Sequence, residues 1–355
     1  METYSIAAIA GDGVGVETVS VARRVLDALA DRDGFRLSWS EYNWGCDHYL
    51  ATGRMMPADG LARLAESDAI TLGAVGAPTV PDHVSLWGLL IPIRREFDQY
   101  VSLRPARLLP GVRSPLAPGT DIDLLVVREN SEGEYSEIGG RLFRGSDREL
   151  AVQEAVVTRR GVTRIARYAF EAARQRRRRV ASATKSNGIR HTMVLWDEVV
   201  DEVAADYPDV ALTRYHADAL AALLVRDPAR FDVIVASNLF GDLLSDLTAA
   251  LCGGLGIAPC ANLDPSRLNP SMFEPVHGSA PDIAGAGRAN PVGQLWAASM
   301  MLEQLGEAEA SRSLLAAVEG SVADRRVTPD LGGTLTTEQV GDDVLARLGA
   351  GRGDG

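Results

Sequence analysis

The chain has 355 residues, enough for more than one typical domain and for a sizeable core. Its 46% hydrophobic and 24% charged residues are those of a globular protein, and a net charge of −12 argues against nucleic acid or an anionic membrane as main partner. Cys46, Cys252 and Cys260 are widely spaced with no CxxC pair, which argues against a thiolate metal site or disulfide framework and suits a reducing cytoplasm.

The N-terminus lacks a basic segment, and its apolar run stops at Gly11-Asp12, so it does not read as a signal peptide. That run, Tyr4–Ala10, followed by Gly11-Asp12-Gly13 and an amphipathic stretch to Ala30, predicts strand, tight turn and helix. Branched residues predict further strands at Ala69–Val75, Ile122–Arg128, Val180–Ala183, Val210–Tyr215 and Phe231–Ser237. Helical periodicity fills 86–99, 161–178, 190–206, 217–226, 239–251, 291–306, 309–324 and 337–348. Pro92 must kink the first of these or mark a first turn. The longest apolar stretch, Leu247–Leu263, is broken by glycines and Pro259 and is too short to span a bilayer. Strands alternating with helices predict an α/β fold with a mostly parallel, buried sheet. The Gly-rich tail Gly349–Gly355 is expected to fray.

Gly11-Asp12-Gly13-Val14-Gly15 follows a strand and opens a helix, yet its spacing is not G-x-G-x-x-G, and no acidic residue follows where a Rossmann fold needs one. Arg174–Arg179 holds five Arg in six residues. An RNA contact or localisation signal would use such a run, but the solvated end of helix 161–178 accounts for it in an acidic chain.

Lys185 is the only lysine; the other basic residues are all Arg. An ammonium can lose its proton in a suitable environment, whereas a guanidinium effectively cannot, so position 185 is a candidate proton carrier. Asp242 and Asp246 are four apart and share one face of a predicted helix. Their repulsion favours a hard divalent cation with oxygen ligands, and Asp218 on another element is a third candidate. Arg94, Arg104 and Arg128 are candidates for bidentate carboxylate binding. The irregular run Glu274-Pro-Val-His-Gly-Ser-Ala-Pro-Asp-Ile-Ala-Gly reads as a binding loop.

With these residues in view, the chain resembles the β-decarboxylating dehydrogenases, the group of isopropylmalate, isocitrate, tartrate and D-malate dehydrogenases. The motifs are Gly-Asp-Gly-Val-Gly (11–15), Ser-Leu-Arg-Pro (102–105), Arg-Glu-Asn-Ser-Glu-Gly-Glu-Tyr (128–135), Thr-Lys-Ser-Asn-Gly (184–188), Asn-Leu-Phe-Gly-Asp-Leu-Leu-Ser-Asp (238–246) and Glu-Pro-Val-His-Gly-Ser-Ala-Pro-Asp (274–282). They run in order from about residue 4 to 348. Trp44-Gly-Cys-Asp-His-Tyr-Leu, Gly53-Arg-Met-Met-Pro, Pro81-Asp-His-Val-Ser-Leu-Trp-Gly and Arg94-Arg-Glu-Phe-Asp-Gln-Tyr resemble the tartrate/D-malate branch. Gly88 and Leu90 stand where isocitrate enzymes place Ser and Asn, and Trp87 where isopropylmalate enzymes place an acidic residue.

The resemblance implies a non-Rossmann, isopropylmalate/isocitrate dehydrogenase-like α/β fold of two interwoven domains with a mixed, mostly parallel sheet. A discontinuous cofactor-binding domain would span 1–101 and 260–355, and a substrate, metal and dimerisation domain 102–259. It implies oxidative decarboxylation of a 2-hydroxy dicarboxylic acid, D-malate or tartrate, with NAD and Mg²⁺ or Mn²⁺. His277, Gly278, Ser279, Ala280, Ile283 and Asn290 would line the adenosine, and Asp282 would accept from the ribose hydroxyls and disfavour a 2′-phosphate. Val14 and Glu274 would lie towards the nicotinamide. Arg94, Arg104 and Arg128 would bind substrate carboxylates; Asp218, Asp242 and Asp246 would hold the metal. Lys185 would act as base and Tyr135 as proton donor, with Lys185 and Asp218 supplied across a homodimer whose arm is Gly139–Thr158. Ser102, Val194 and Thr248-Ala-Ala depart from the branch pattern, but no catalytic position does. Alternatives are isopropylmalate or another 3-substituted malate as substrate and, from a different class, a catalytically silent regulatory subunit.

Overall fold

The strand–turn–helix predicted at the N-terminus is present in the computed structural model, which describes residues 1–350; all but the first two residues of the tail Gly349–Gly355 lie outside them. β1 (Thr3–Gly11) turns through Asp12–Val14 into α1 (Gly15–Asp33), which Gly34 closes in the left-handed region. β2 (Arg36–Glu41), α2 (Cys46–Thr52), α3 (Gly60–Leu64) and β3 (Ala69–Ala74) follow. α4 (Asp82–Ser85) passes through a π-helical turn, Leu86–Leu90, into α5 (Ile91–Glu96). Pro92 sits in the first turn of α5, where its missing N–H costs nothing, and the π turn stands just before it.

The middle of the chain forms β4 (Val101–Arg107), β5 (Asp123–Glu129), β6 (Gly139–Leu142), β7 (Leu150–Gln153) and α6 (Arg159–Arg174). Next come β8 (Arg179–Thr184), α7 (Thr192–Ala204), β9 (Ala211–His216), α8 (Ala217–Arg226), β10 (Val233–Ala236) and α9 (Asn238–Leu251). The last third holds β11 (Pro259–Leu263), β12 (Ser271–Pro275), α10 (Val292–Leu305), α11 (Ala308–Ala323) and α12 (Thr337–Ala350). The apolar stretch 247–263 is thus the end of a helix, a short turn and a strand. Among the described residues no helix is long and apolar enough to cross a membrane.

The chain divides into two compact units. Unit 1 comprises Met1–Gln99, Arg107–Pro118 and the residues from Ala249 on; unit 2 comprises Tyr100–Ala106 and Gly119–Thr248. In unit 1 the strand order is β2-β1-β3-β12-β11, parallel except for β11 against β12. In unit 2 it is β4-β5-β10-β8-β9, with β5, β10, β8 and β9 parallel. This is a mixed, mostly parallel α/β architecture.

β3 and β10 are buried along their whole length and β1 over Ile6–Ile9, as strands covered on both faces must be. In unit 1, Leu89, Ile93 and Phe97 anchor α5 in a core with Ile9, Ile70, Leu72 and Met272. Each such side chain contributes about 1.5–3 kcal/mol by leaving water. In unit 2, α6 buries Ile165, Ala169 and Phe170 after an N-cap in which Thr158 Oγ1 accepts from Gly161 N at 3.0 Å. One expectation is corrected: Glu274 does not open an irregular loop but lies within β12, opposite Cys260.

Candidate active site

In unit 2, β5 delivers Arg128, the loop after it delivers Tyr135, β4 delivers Arg104, and β10 feeds α9 with its two carboxylates. The spacing of 238, 242, 245 and 246 puts all four side chains on one face of α9. Arg104 Nη1 donates to Ser245 Oγ at 2.8 Å and to Asp246 Oδ1 at 3.3 Å, and lies 3.2 Å from Asp242 Oδ1. Arg128 donates from Nη1 to Asp242 Oδ1, and from Nε (3.1 Å) and Nη2 (2.7 Å) to Asn238 Oδ1. Tyr135 OH donates to Asp242 Oδ2 at 3.2 Å, with the Arg128 guanidinium 5.7 Å from its ring centre. Gly241 lets α9 come this close: a Cβ there would stand 2.6 Å from Arg128 Cβ.

Arg104 and Arg128 are buried, while Asp246 keeps half of its side chain exposed. Burial pushes Asp246 above the usual carboxylate range and Asp242 adds to the rise, against the pull of Arg104 and Arg128. The pair is therefore a place where added positive charge is stabilising. Its hard oxygen donors, one helical turn apart, suit a divalent cation such as Mg²⁺ or Mn²⁺.

Lys185 and Asp218 are brought together with each other and not with that group. Lys185, just past β8, donates from Nζ to Asp218 Oδ1 at 2.7 Å, and Asp218 sits in the first turn of α8. The Lys185 ammonium holds the Asp218 carboxyl below its usual range. Both side chains are partly exposed, at 33% and 69%. Among the described residues no hydrogen bond or ion pair joins either to Tyr135, Asp242 or Asp246, and no three His, Cys, Asp or Glu side chains are placed to hold a metal. The three-carboxylate set implied by the resemblance is not assembled within one chain.

Unit 1 holds the remaining residues. Arg94 on α5 is buried and donates from Nη2 to Glu274 Oε1 at 2.9 Å; Asn262 Nδ2 donates to the same oxygen at 2.8 Å. Arg94 Nε is buried with no hydrogen-bond partner. Glu274 thus serves Arg94 and is not among the residues that line the cavity beside the 276–290 loop.

That cavity, of about 190 Å³, is lined by Val14, His277, Gly278, Ala280, Ile283 and Asn290, together with Gly256, Arg288, Ala289 and Asp330. Val14 N donates to Ser279 O at 2.8 Å. Gly13 permits this contact, since a Cβ there would stand 2.0 Å from the same carbonyl oxygen. Ala280 holds a left-handed φ of 39°, a cost that loops accept where shape matters. His277 Nε2 is buried without a partner, and burial pulls the imidazole below its ordinary range. A neutral ring with an unused polar atom in a small, partly apolar cavity fits a purine and its ribose. Asp282 lies exposed on the turn outside this cavity.

Asn238, Ser245 and Asp330 are participants that the sequence reading did not single out. Asn238 and Ser245 share the Asp242 helix face, so helical spacing carried the signal. Asp330 Oδ2 accepts from Asn290 Nδ2 at 2.9 Å, and no periodic pattern around Pro329-Asp330-Leu331 marks it.

The sequence pattern of the isocitrate/isopropylmalate dehydrogenase family matches residues 5–344. The chain belongs to that family. It is 54% identical over 355 residues to the D-malate dehydrogenase [decarboxylating] of Escherichia coli (strain K12), covering 97% of this chain and 98% of that one. It is 53% identical over 350 residues to a probable tartrate dehydrogenase/decarboxylase of Bacillus subtilis (strain 168), covering 98% and 99%. Among solved structures, isocitrate dehydrogenase from Methylococcus capsulatus superposes with a TM-score of 0.89 at 36% identity, over 97% of this chain and 99% of that one. The fold and family expected from the motifs are those found.

Proposed function

We propose that this chain is a decarboxylating dehydrogenase of a 2-hydroxy dicarboxylic acid, D-malate or tartrate, using NAD and Mg²⁺ or Mn²⁺. The observation that carries the reading is the convergence on Asp242 of a proton donor, Tyr135, and two anion binders, Arg104 and Arg128. The identity to relatives named for D-malate and tartrate supports the substrate class.

Asp242 and Asp246 would hold the cation, joined by Asp218 from a second copy of the chain. When bound, the cation supplies Lewis acidity at the 2-hydroxyl, and the nicotinamide supplies a hydride acceptor. Arg94, Arg104 and Arg128 would bind the substrate carboxylates. Lys185 of the second copy, acting as the neutral amine, accepts the hydroxyl proton at Nζ. Tyr135 OH then donates a proton to the carbon that has lost CO₂. In unit 1, the cofactor-binding domain in this reading, the 276–290 loop receives the adenosine, and Val14, expected towards the nicotinamide, lines the same cavity. His277, Gly278, Ser279, Ala280, Ile283 and Asn290 line it, Asp282 selects the 2′-hydroxyl, and Glu274 orients Arg94.

Two chains sharing two sites account for the separation of Lys185 and Asp218 from the Asp242 group. They also account for the apolar ribbon β6–β7, whose Ile138, Leu142, Phe143, Leu150 and Val152 are exposed in one copy. The reading places the enzyme in the cytoplasm, which suits three widely spaced cysteines.

The test is NADH formation from D-malate, L-malate, L- and meso-tartrate, isopropylmalate and isocitrate, with and without Mn²⁺. Turnover of D-malate or tartrate only with the metal is expected. Turnover of isopropylmalate alone would move the substrate to another branch, and turnover of none would leave a silent subunit.

A further inference from the structure

We propose that Asn238 is a positioning residue that orients Arg128 without neutralising it and sets its distance from Tyr135. The inference rests on the reading of Arg128 as a binder of substrate carboxylate. Asn238 is 3% exposed at the first position of α9. Its Oδ1 accepts two bonds from one guanidinium, Arg128 Nε at 3.1 Å and Nη2 at 2.7 Å. Its Nδ2 donates to Glu132 O at 2.9 Å, in the loop that ends at Tyr135. One side chain therefore grips both the anion binder and the segment that carries the proton donor.

The residue type matters at each end. A neutral amide oxygen fixes the arginine fork and leaves its positive charge for a substrate carboxylate. A carboxylate in the same place would accept the same bonds, cancel the charge and compete with the substrate. It would also lose the donor to Glu132 O and leave that carbonyl without this bond. Asn supplies a neutral acceptor and a donor on two separate atoms, so its Oδ1 can hold the arginine while its Nδ2 holds the loop. The neighbouring carboxylate braces the same joint from the other side. Glu134 accepts from Ser237 Oγ and from Leu239 N, each at 3.0 Å, so the residues before and after Asn238 are held to the Tyr135 loop as well. Gly133 lets the loop lie against Asn238, where a Cβ would stand 3.1 Å from the Asn238 Cβ.

The test compares wild type, Asn238→Asp, Asn238→Ala, Arg128→Lys and the double variant Arg128→Lys/Asn238→Asp. Binding of D-malate with Mn²⁺ is measured by calorimetry without NAD, alongside steady-state kinetics. For Asn238→Asp, Kd and KM for D-malate should rise about tenfold or more, while KM for NAD and Tm stay near wild type. In the Arg128→Lys background the same change should add little, because its target is gone. Should Asn238→Asp fail to fold, Asn238→Ala carries the comparison, with D-malate binding again weakened more than NAD binding. Unchanged D-malate affinity, an equal loss for NAD, or additive effects in the double variant would each overturn the proposal. If the wild type binds tartrate and not D-malate, the series is run with tartrate. A wild type that binds either acid but forms no NADH from it defeats the functional reading alone, and the binding series then still decides the role of Asn238. One that binds neither defeats both.

Discussion

Glu129 sits at the end of β5, one residue past Arg128, and is 2% exposed. Its carboxylate accepts from Ser131 N and Oγ and from Glu132 N, and Arg164 lies 4.0 Å away. Burial nonetheless raises it from 4.5 to about 7, with Glu132 adding to the rise and the bonds from Ser131 and Glu132 opposing it. Between those two values the folded chain binds a proton that the unfolded chain has lost, so stability falls as pH rises through that window and levels off above it. The full span is about 3 kcal/mol. Glu129→Gln should remove this dependence. Its Tm relative to wild type should therefore improve from pH 5 to pH 8, and parallel Tm curves would show that Glu129 stays ionised throughout.

At the same scale, residue types and spacing marked Arg104, Arg128 and the Asp pair as separate candidates, and only the family resemblance added Tyr135 and joined them; Arg104 lies within β4, a strand that the apolar pattern did not predict. The Arg174–Arg179 run was legible only in outline. Arg174 pairs with Asp209, Arg176 bridges Asp123 and Asp232, and Arg177 donates to the Asp123 and Phe231 carbonyls. Three of the five cations are thus clamps between strand ends, and their partners lie tens of residues away, beyond the reach of local pattern.

At the scale of elements, the ribbon β6–β7 is the part whose sequence and surroundings disagree most. It has four residues in each strand, yet Leu142 is 59% exposed and Val152 47%. An isolated two-stranded ribbon is at best marginally stable in water, so an apolar one needs a cover. If a second copy supplies it, Leu142→Asp with Leu150→Asp should shift the protein to monomer in light scattering and abolish turnover, with NAD affinity retained. A double variant that stays dimeric and active would remove the ribbon from the interface.

Elements with strong periodicity were legible; those that depend on neighbours were not. β2 alternates buried Leu37 with exposed Arg36 and Ser38, a short edge pattern that also describes a loop. β12 was hidden by Pro275 and by Glu274, a charged residue inside a fully buried strand, which makes sense only once Arg94 is seen beside it. The π turn at Leu86–Leu90 has no sequence signal beyond Pro92 at the start of the next helix.

For the whole molecule, the decisive feature is that Lys185 with Asp218 and the group around Asp242 stand apart in one chain, two clusters that the proposed function reads as halves of a shared site. If these halves meet across a two-fold axis, two dead variants can repair one another. Lys185→Arg and Asp246→Asn should each abolish turnover as homodimers. A heterodimer would have one site with both Lys185 and Asp246 intact and one with neither. Equal statistical mixing puts half the dimers in that form, so activity should return to about one-quarter of wild type. No recovery would show that Lys185 and Asp246 serve the same chain. Such symmetry was not readable from local pattern, since no stretch of a single chain states where its copy lies; only the family resemblance pointed to it.

The lone ammonium has a practical consequence as well. A protease specific for lysine has one bond to cut, after residue 185, and an acylating reagent has one side-chain amine to find besides the N-terminus. That amine is one-third exposed and held by Asp218. The rate at which it is labelled therefore reports how often a single ion pair opens, with no engineered probe and no competing lysine to subtract.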